Sequence, residues 1–154
     1  MELSELVAAA LAEDIGTGDV TTEATVDASA TATARIVAKQ ALVLSGQGPA
    51  EETFRQMGAE YLPVAADGAA LALGEEVGRV RGPARALLTG ERTALNFLMH
   101  LSGIATHTAA VVQSARGMKV VDTRKTIPLF RQLQKAAVRH GGGGNHRLAL
   151  YDAV

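Results

Sequence analysis

"MKVVDTRKTIPLFRQLQKAAVRHGGGGNHRL", residues 118–148, decides the fold. Val120 and Val121 open it as a short apolar run, the mark of a buried strand, and the run turns polar at Asp122, Thr123, Arg124 and Lys125. Pro128 then suits the first turn of a helix, and Leu129, Leu133, Ala136 and Ala137 recur at helical spacing. This predicts a helix over 128–139, ended by the glycines 141–144. Strand, helix, loop and strand in that order is the opening of a parallel α/β fold. Such folds bind ligands at the C-terminal ends of their strands, so Thr123, Arg124 and Lys125 fall where a ligand belongs. Arg124 offers a planar fork to a carboxylate or phosphate, and Lys125 a point charge. The plainer alternative is a salt bridge between Arg124 and Asp122.

The glycine run fits neither the phosphate loop Gly-x-x-x-x-Gly-Lys-Ser/Thr nor Gly-x-Gly-x-x-Gly opening a helix. It is either a helix C-cap and flexible linker, or bare backbone that passes close to a ligand and holds His146 and Arg147 there. It leads from a helix into a strand, the side opposite the ligand-binding face. For His146 and Arg147 to join Arg124, the loop is expected to climb back before the strand descends.

Upstream, residues 2–12 predict a helix, with Leu3, Leu6, Val7, Ala10 and Leu11 on one face. A glycine-punctuated turn, "EDIGTGDVTT", follows, then strands within "TATARIVAKQALVLSG" and a short helix over "GPAEETFRQMG". Next comes a small, mostly antiparallel sheet with strands near 60–65, 77–82 and 84–88. The strongest helix is expected after Thr89, which can cap it, with Ala94, Leu95, Leu98, Leu101 and Ala105 on its apolar face. Arg92 then sits in the first turn, where the dipole disfavours a cation; it belongs there if it meets an anion, or it is a surface arginine paired with an acid. Gly103 inside this helix marks a break or a close contact, and a domain boundary is placed there: 1–103 and 104–154.

Composition excludes several function classes. The chain is 154 residues, 47% hydrophobic and 20% charged, as folded domains are. Its net charge of −1 argues against a general nucleic-acid binder, and its few aromatics give no base-stacking platform. The charge is uneven: from Met118 on, seven Lys and Arg stand against Asp122 and Asp152 alone, which suits a small anion. Without cysteine there is no disulfide, thiolate metal site or cysteine nucleophile. His100 and His107, seven apart on one helix, have the wrong spacing for a metal, and Glu13, Asp14 and Asp19 are accounted for as turn and cap residues. No signal peptide and no membrane-length apolar run is present, which fits a cytoplasmic protein.

Taken together and in order, "EDIGTGDVTT", "GRVRGPARALLTGERTALNFL", "LSGIAT", "VVDTRKT" and "GGGGNHRLALYDAV" resemble the quinolinate phosphoribosyltransferase family over nearly the whole chain. The resemblance implies an N-terminal α/β sandwich domain followed by the start of an α/β barrel. It implies phosphoribosyl transfer from phosphoribosyl pyrophosphate to quinolinate with decarboxylation, with Mg2+, in de novo NAD synthesis. It further implies a homodimer in which Arg92 reaches the neighbouring site. Thr123, Arg124 and Lys125 match the substrate segment, and His146 and Arg147 match the His-Arg pair around quinolinate. No protein nucleophile is implied, and no protein metal ligand within this chain. A pyrophosphorylase-like relative from molybdenum-transport operons and a non-catalytic dimerising remnant are the alternatives. About fifty residues follow Gly103, too few to close a barrel, so the chain is expected to end within a barrel strand and to be inactive alone.

Overall fold

The computed structural model describes residues 1–152. In chain order the elements are α1 (Leu3–Ile15), α2 (Val20–Thr25), β1 (Thr31–Val37), β2 (Leu42–Val43), α3 (Gln47–Gln56), β3 (Glu60–Pro63), β4 (Ala70–Leu71), β5 (Glu76–Pro83), α4 (Ala84–Ser114) and α5 (Arg131–His140). The antiparallel sheet β1-β5-β3 is the first layer, and β2 and β4 pair separately. Along β5, Gly78 and Val80 point inward while Arg79 and Arg81 face water, the period of two that a half-buried strand requires. The outer face carries the ion pairs Arg79–Glu76, Arg81–Glu60 and Arg35–Glu76. Exposed pairs of this kind add little stability.

The second layer is α3 and α4. Phe54, Ala50, Ala94 and Leu98 from these helices close on Tyr61, Val77 and Val80 from the sheet. Phe54 and Tyr61 stack with ring centroids 5.8 Å apart, an arrangement worth about 0.5–1.5 kcal/mol beyond area burial. This is the α/β sandwich. A second cluster forms where α1 lays Val7 and Leu11 against Phe97 of α4, whose ring stacks on Phe130 at 5.7 Å. Phe97 therefore joins α1 to the segment leading into α5.

The structure corrects several sequence expectations. Residues 84–88 are not a strand but the first turns of α4. The run Ala84-Arg85-Ala86-Leu87-Leu88 is apolar but has no β-branched residue, and Ala, Arg and Leu are strong helix formers. Pro83, at φ −56° and ψ 127°, ends β5 and stands as the N-cap. Thr89 is thus no cap; its hydroxyl donates to Asp19 Oδ2 at 2.9 Å. Gly103 neither breaks α4 nor makes a close contact, since a Cβ there would meet nothing within 4 Å. By length and hydropathy α4 could cross a membrane, yet both layers and α5 pack on it, through buried residues from Ala86 to Thr108.

Two corrections concern the C-terminal segment. Leu129 does not face inward: it is 71% exposed at φ 68°, because the chain turns at Pro128–Phe130 before α5 starts at Arg131. The expected final strand is not formed over 148–152, where Leu148 N–H donates to Asp152 Oδ2 in a turn; the rest of that strand lies outside the described residues.

Asp19 supplies an acid-sensitive joint. Its carboxylate caps α2 by accepting the Thr22 N–H at 3.0 Å and also takes the Thr89 hydroxyl. The Thr22 side chain and backbone, then Thr89, hold its acidity below the usual carboxylate range. A depressed folded pKa stabilises the fold above the unfolded value of about 3.9 and loses that stabilisation as pH falls through the folded value. Asp19→Asn keeps the capping oxygen without the charge. Its urea midpoint is expected to fall less than the wild type's between pH 6 and pH 3; equal falls would exclude Asp19 as a contributor.

Candidate anion site at the end of a parallel strand pair

Residues 120–122 run extended beside Gly144. Val121 and Gly144 form a parallel bridge, Gly144 N–H donates to Val120 O at 2.8 Å, and Asp122 N–H to Gly144 O at 3.1 Å. The segment is not the buried strand expected from sequence: Val121 is 39% exposed, because Gly144 covers only one of its edges.

This bridge sets the direction of the two segments that carry the candidate residues. Arg124 is three residues beyond Val121, and Arg147 three beyond Gly144. At this bridge the two segments run in the same direction, so Thr123, Arg124 and Lys125 follow one of them and His146 and Arg147 the other. The glycine run meets the 120–122 segment at Gly144, before His146 and Arg147. Two of the glycines have a packing reason of their own. A Cβ on Gly141 would stand 2.3 Å from Ala105 O and 2.7 Å from Thr108 Cβ, both on α4. One on Gly143 would stand 2.8 Å from Val138 Cγ1 and 2.9 Å from Thr108 Cγ2. The glycines let the chain leave α5 tight against α4.

Arg124 does not pair with Asp122. Its Nε is buried with no hydrogen-bond partner among the described residues. An unmet buried N–H costs about 1–3 kcal/mol, more on a charged group. Asp122 instead takes Lys135 Nζ at 2.6 Å, with the two side chains 7% and 1% exposed. Thr123 Oγ1 accepts the Lys125 N–H at 3.0 Å, shaping the turn, and both residues are exposed. His146 is exposed, and its N–H donates to Asp122 Oδ1 at 2.8 Å.

Lys135 and Asn145 were missed as site residues by sequence reasoning. One signal was available: between 118 and 151 Asp122 is the only carboxylate, and Lys135 sits among the inward residues Leu133, Ala136 and Ala137. Removing one partner of such a buried pair costs about 3–5 kcal/mol, because the other charge stays behind.

Arg92 is not brought to this group. It lies on the third turn of α4, so the argument from the helix dipole at a first turn does not apply. It is exposed and lines an open cleft with Asp14, Gly18, Asp19 and Thr89. About 12 Å of helix separates it from His100, where α5 docks through Gln134.

A two-layer α/β domain followed by a helix whose flanking segments meet in one parallel bridge defines an α/β protein. Comparison narrows that class. The model for the N-terminal domain of quinolinate phosphoribosyl transferase matches residues 19–102, and that for its C-terminal domain matches residues 104–154. The chain is 47% identical to the nicotinate-nucleotide pyrophosphorylase [carboxylating] of Mycobacterium leprae, over 94% of this chain and 54% of that one. It is 36% identical to quinolinate phosphoribosyltransferase [decarboxylating] 1 of Nicotiana glauca, over 99% of this chain and 45% of the relative. Among solved structures it superposes on NadC from Streptococcus pyogenes with a TM-score of 0.95 and 42% identity, over 99% of this chain and 55% of that one. The chain belongs to the quinolinate phosphoribosyl transferase family, and it spans about half the length of the curated relatives it matches.

Proposed function

We propose that this chain forms the quinolinate-gripping part of a carboxylating nicotinate-nucleotide pyrophosphorylase. The reaction joins quinolinate to phosphoribosyl pyrophosphate and gives nicotinate mononucleotide, pyrophosphate and carbon dioxide. The observation that carries it is Arg124 Nε, buried without a hydrogen-bond partner among the described residues, three residues past the bridge to the segment that leads into His146 and Arg147. A pyridine-2,3-dicarboxylate supplies the acceptors that such a fork requires.

In this reading Arg124 and Arg147 clamp the two carboxylates, Thr123 and His146 complete the cup, and Lys125 serves the phosphoribosyl pyrophosphate. The ring nitrogen attacks the ribose anomeric carbon as pyrophosphate leaves, so no protein nucleophile is needed. The bond between C2 and its carboxylate then breaks. Its electron pair stays on C2 beside the positively charged nitrogen and takes up a proton. The protein's work is orientation and electrostatic stabilisation. The boundary near Gly103, the cytoplasmic setting and a homodimer in which Arg92 enters the neighbouring site complete the proposal.

Mg2+ accompanies phosphoribosyl pyrophosphate in this proposal. The described residues do not fit a protein site for it: no three His, Asp or Glu side chains converge, and Asp122 is committed to Lys135. No step is derived through the metal.

Calorimetric titration tests the proposal. Quinolinate is expected to bind at least about tenfold more tightly than nicotinate, which lacks one carboxylate and with it one charge-assisted contact. Equal affinities would remove the dicarboxylate assignment. In a turnover assay with Mg2+, a version extended at the C-terminus to its relatives' length is expected to form nicotinate mononucleotide and the 154-residue chain none.

A further inference from the structure

We infer that Lys135 is a positioning residue for this grip: with Asp122 and Asn145 it holds the His146–Arg147 backbone level with Thr123 and Arg124. The inference rests on the quinolinate assignment for its consequence but on the geometry for its substance.

Backbone pairing between the two segments ends at Gly144, whose carbonyl accepts the Asp122 N–H. Beyond that point side chains take over. Asp122 Oδ1 accepts the His146 N–H at 2.8 Å, and Lys135 Nζ donates to His146 O at 3.1 Å. Both polar groups of the His146 backbone are thus held by the two members of one ion pair, itself 2.6 Å long. Asn145 locks the preceding residue: its Nδ2 donates to Asp122 Oδ2 at 2.8 Å and to Lys135 O at 2.9 Å, and its Oδ1 accepts from Arg139.

Stability alone does not account for this arrangement. A buried ion pair is weak evidence of stabilisation, since well-packed apolar residues of similar volume commonly serve as well or better. Apolar replacements cannot, however, fix the direction of a neighbouring N–H and C=O. A carboxylate can accept from Lys135, Asn145 and His146 at once, which gives the pair a geometric task. Charge supplies a second argument. Asp122 stands at an end that must receive an anion, and Lys135 at 2.6 Å cancels its charge, so the carboxylate does not offset the cations of Arg124 and Lys125.

The test separates position from stability. Lys135→Met alone strands a buried carboxylate and is expected to lower both the melting temperature and quinolinate affinity. The double variant Asp122→Leu/Lys135→Met removes both charges, so its melting temperature is expected to return to within a few degrees of wild type. Its quinolinate Kd is expected to stay at least ~10-fold weakened, with phosphoribosyl pyrophosphate affinity unchanged in a version extended to its relatives' length. In the ligand-free protein the His146 amide is expected to exchange at least ~10-fold faster than in wild type. Native His146 protection in the double variant overturns the inference, as does a recovered quinolinate affinity. If wild type binds no quinolinate, the functional proposal falls, and His146 exchange still decides whether Lys135 positions the loop.

Discussion

Arg124→Ala is expected to weaken quinolinate binding by about 10²-fold or more while leaving the protein at least as stable as wild type. The first half follows from chemistry. A guanidinium fork gives a carboxylate two charge-assisted hydrogen bonds of roughly 1.5–3 kcal/mol each, and about 2.7 kcal/mol already makes a hundredfold. The second half follows from the structure. Arg124 Nε is buried and makes no hydrogen bond among the described residues, so truncation removes an unmet donor rather than a contact. A residue kept for folding would show the reverse, a lower melting temperature with little change in affinity. Arg124→Lys keeps the charge and loses the fork, and it is expected to fall between, about tenfold weaker than wild type. Titration and thermal melting on the same samples check both halves. Native quinolinate affinity in Arg124→Ala would remove Arg124 from the site.

Gly141→Ala is expected to be the most destabilising single methyl addition in the glycine run, at about 3 kcal/mol, the upper end of overpacking costs. For a chain of this size that corresponds to roughly 6–12 °C in melting temperature. The backbone angle is not the reason: Gly141 has φ −80°, which any residue adopts. Space is the reason, because the added carbon would lie 2.3 Å from the Ala105 carbonyl oxygen, a backbone atom inside α4 that cannot swing aside. The C-terminus of α5 would have to lift off α4, carrying Gly144 out of register with Val121. Gly142 is the internal control. Its φ is +83° and its nearest obstacle is Val112 Cγ1 at 3.9 Å, so Gly142→Ala is expected to cost about 1–2 kcal/mol, from conformation alone. Urea unfolding of the two variants ranks them. A larger loss at Gly142 would mean that the run is kept for turn geometry rather than for packing on α4.

Much of this was legible in the chain itself. The antiparallel sheet and the α1, α3 and α5 helices follow from apolar periodicity and glycine and proline punctuation. The family was legible from five motifs in order, and the domain models agree with it. What misled was local ambiguity. Residues 84–88 carry an apolar run that reads as a strand when cut from context, and only its continuation into Thr93, Ala94 and Phe97 makes it a helix. That error moved the start of α4 and made Arg92 look like a first-turn cation.

Sequence by itself determined which residues are cationic, that they cluster after Met118, and that a strand, a helix and a glycine run separate them. Those are properties of composition and period, and they survive any packing. Tertiary structure alone decided three things. It gave Asp122 to Lys135 rather than to Arg124, because α5 lays Lys135 across the strand end. It made Gly141 and Gly143 the seam between α5 and α4, because Ala105 and Thr108 leave no room there for a Cβ. It paired Gly144 in parallel with Val121, so the backbones leading to Arg147 and Arg124 run the same way. Each depends on which surfaces meet, and one-dimensional spacing does not encode the distance between residues joined only by packing.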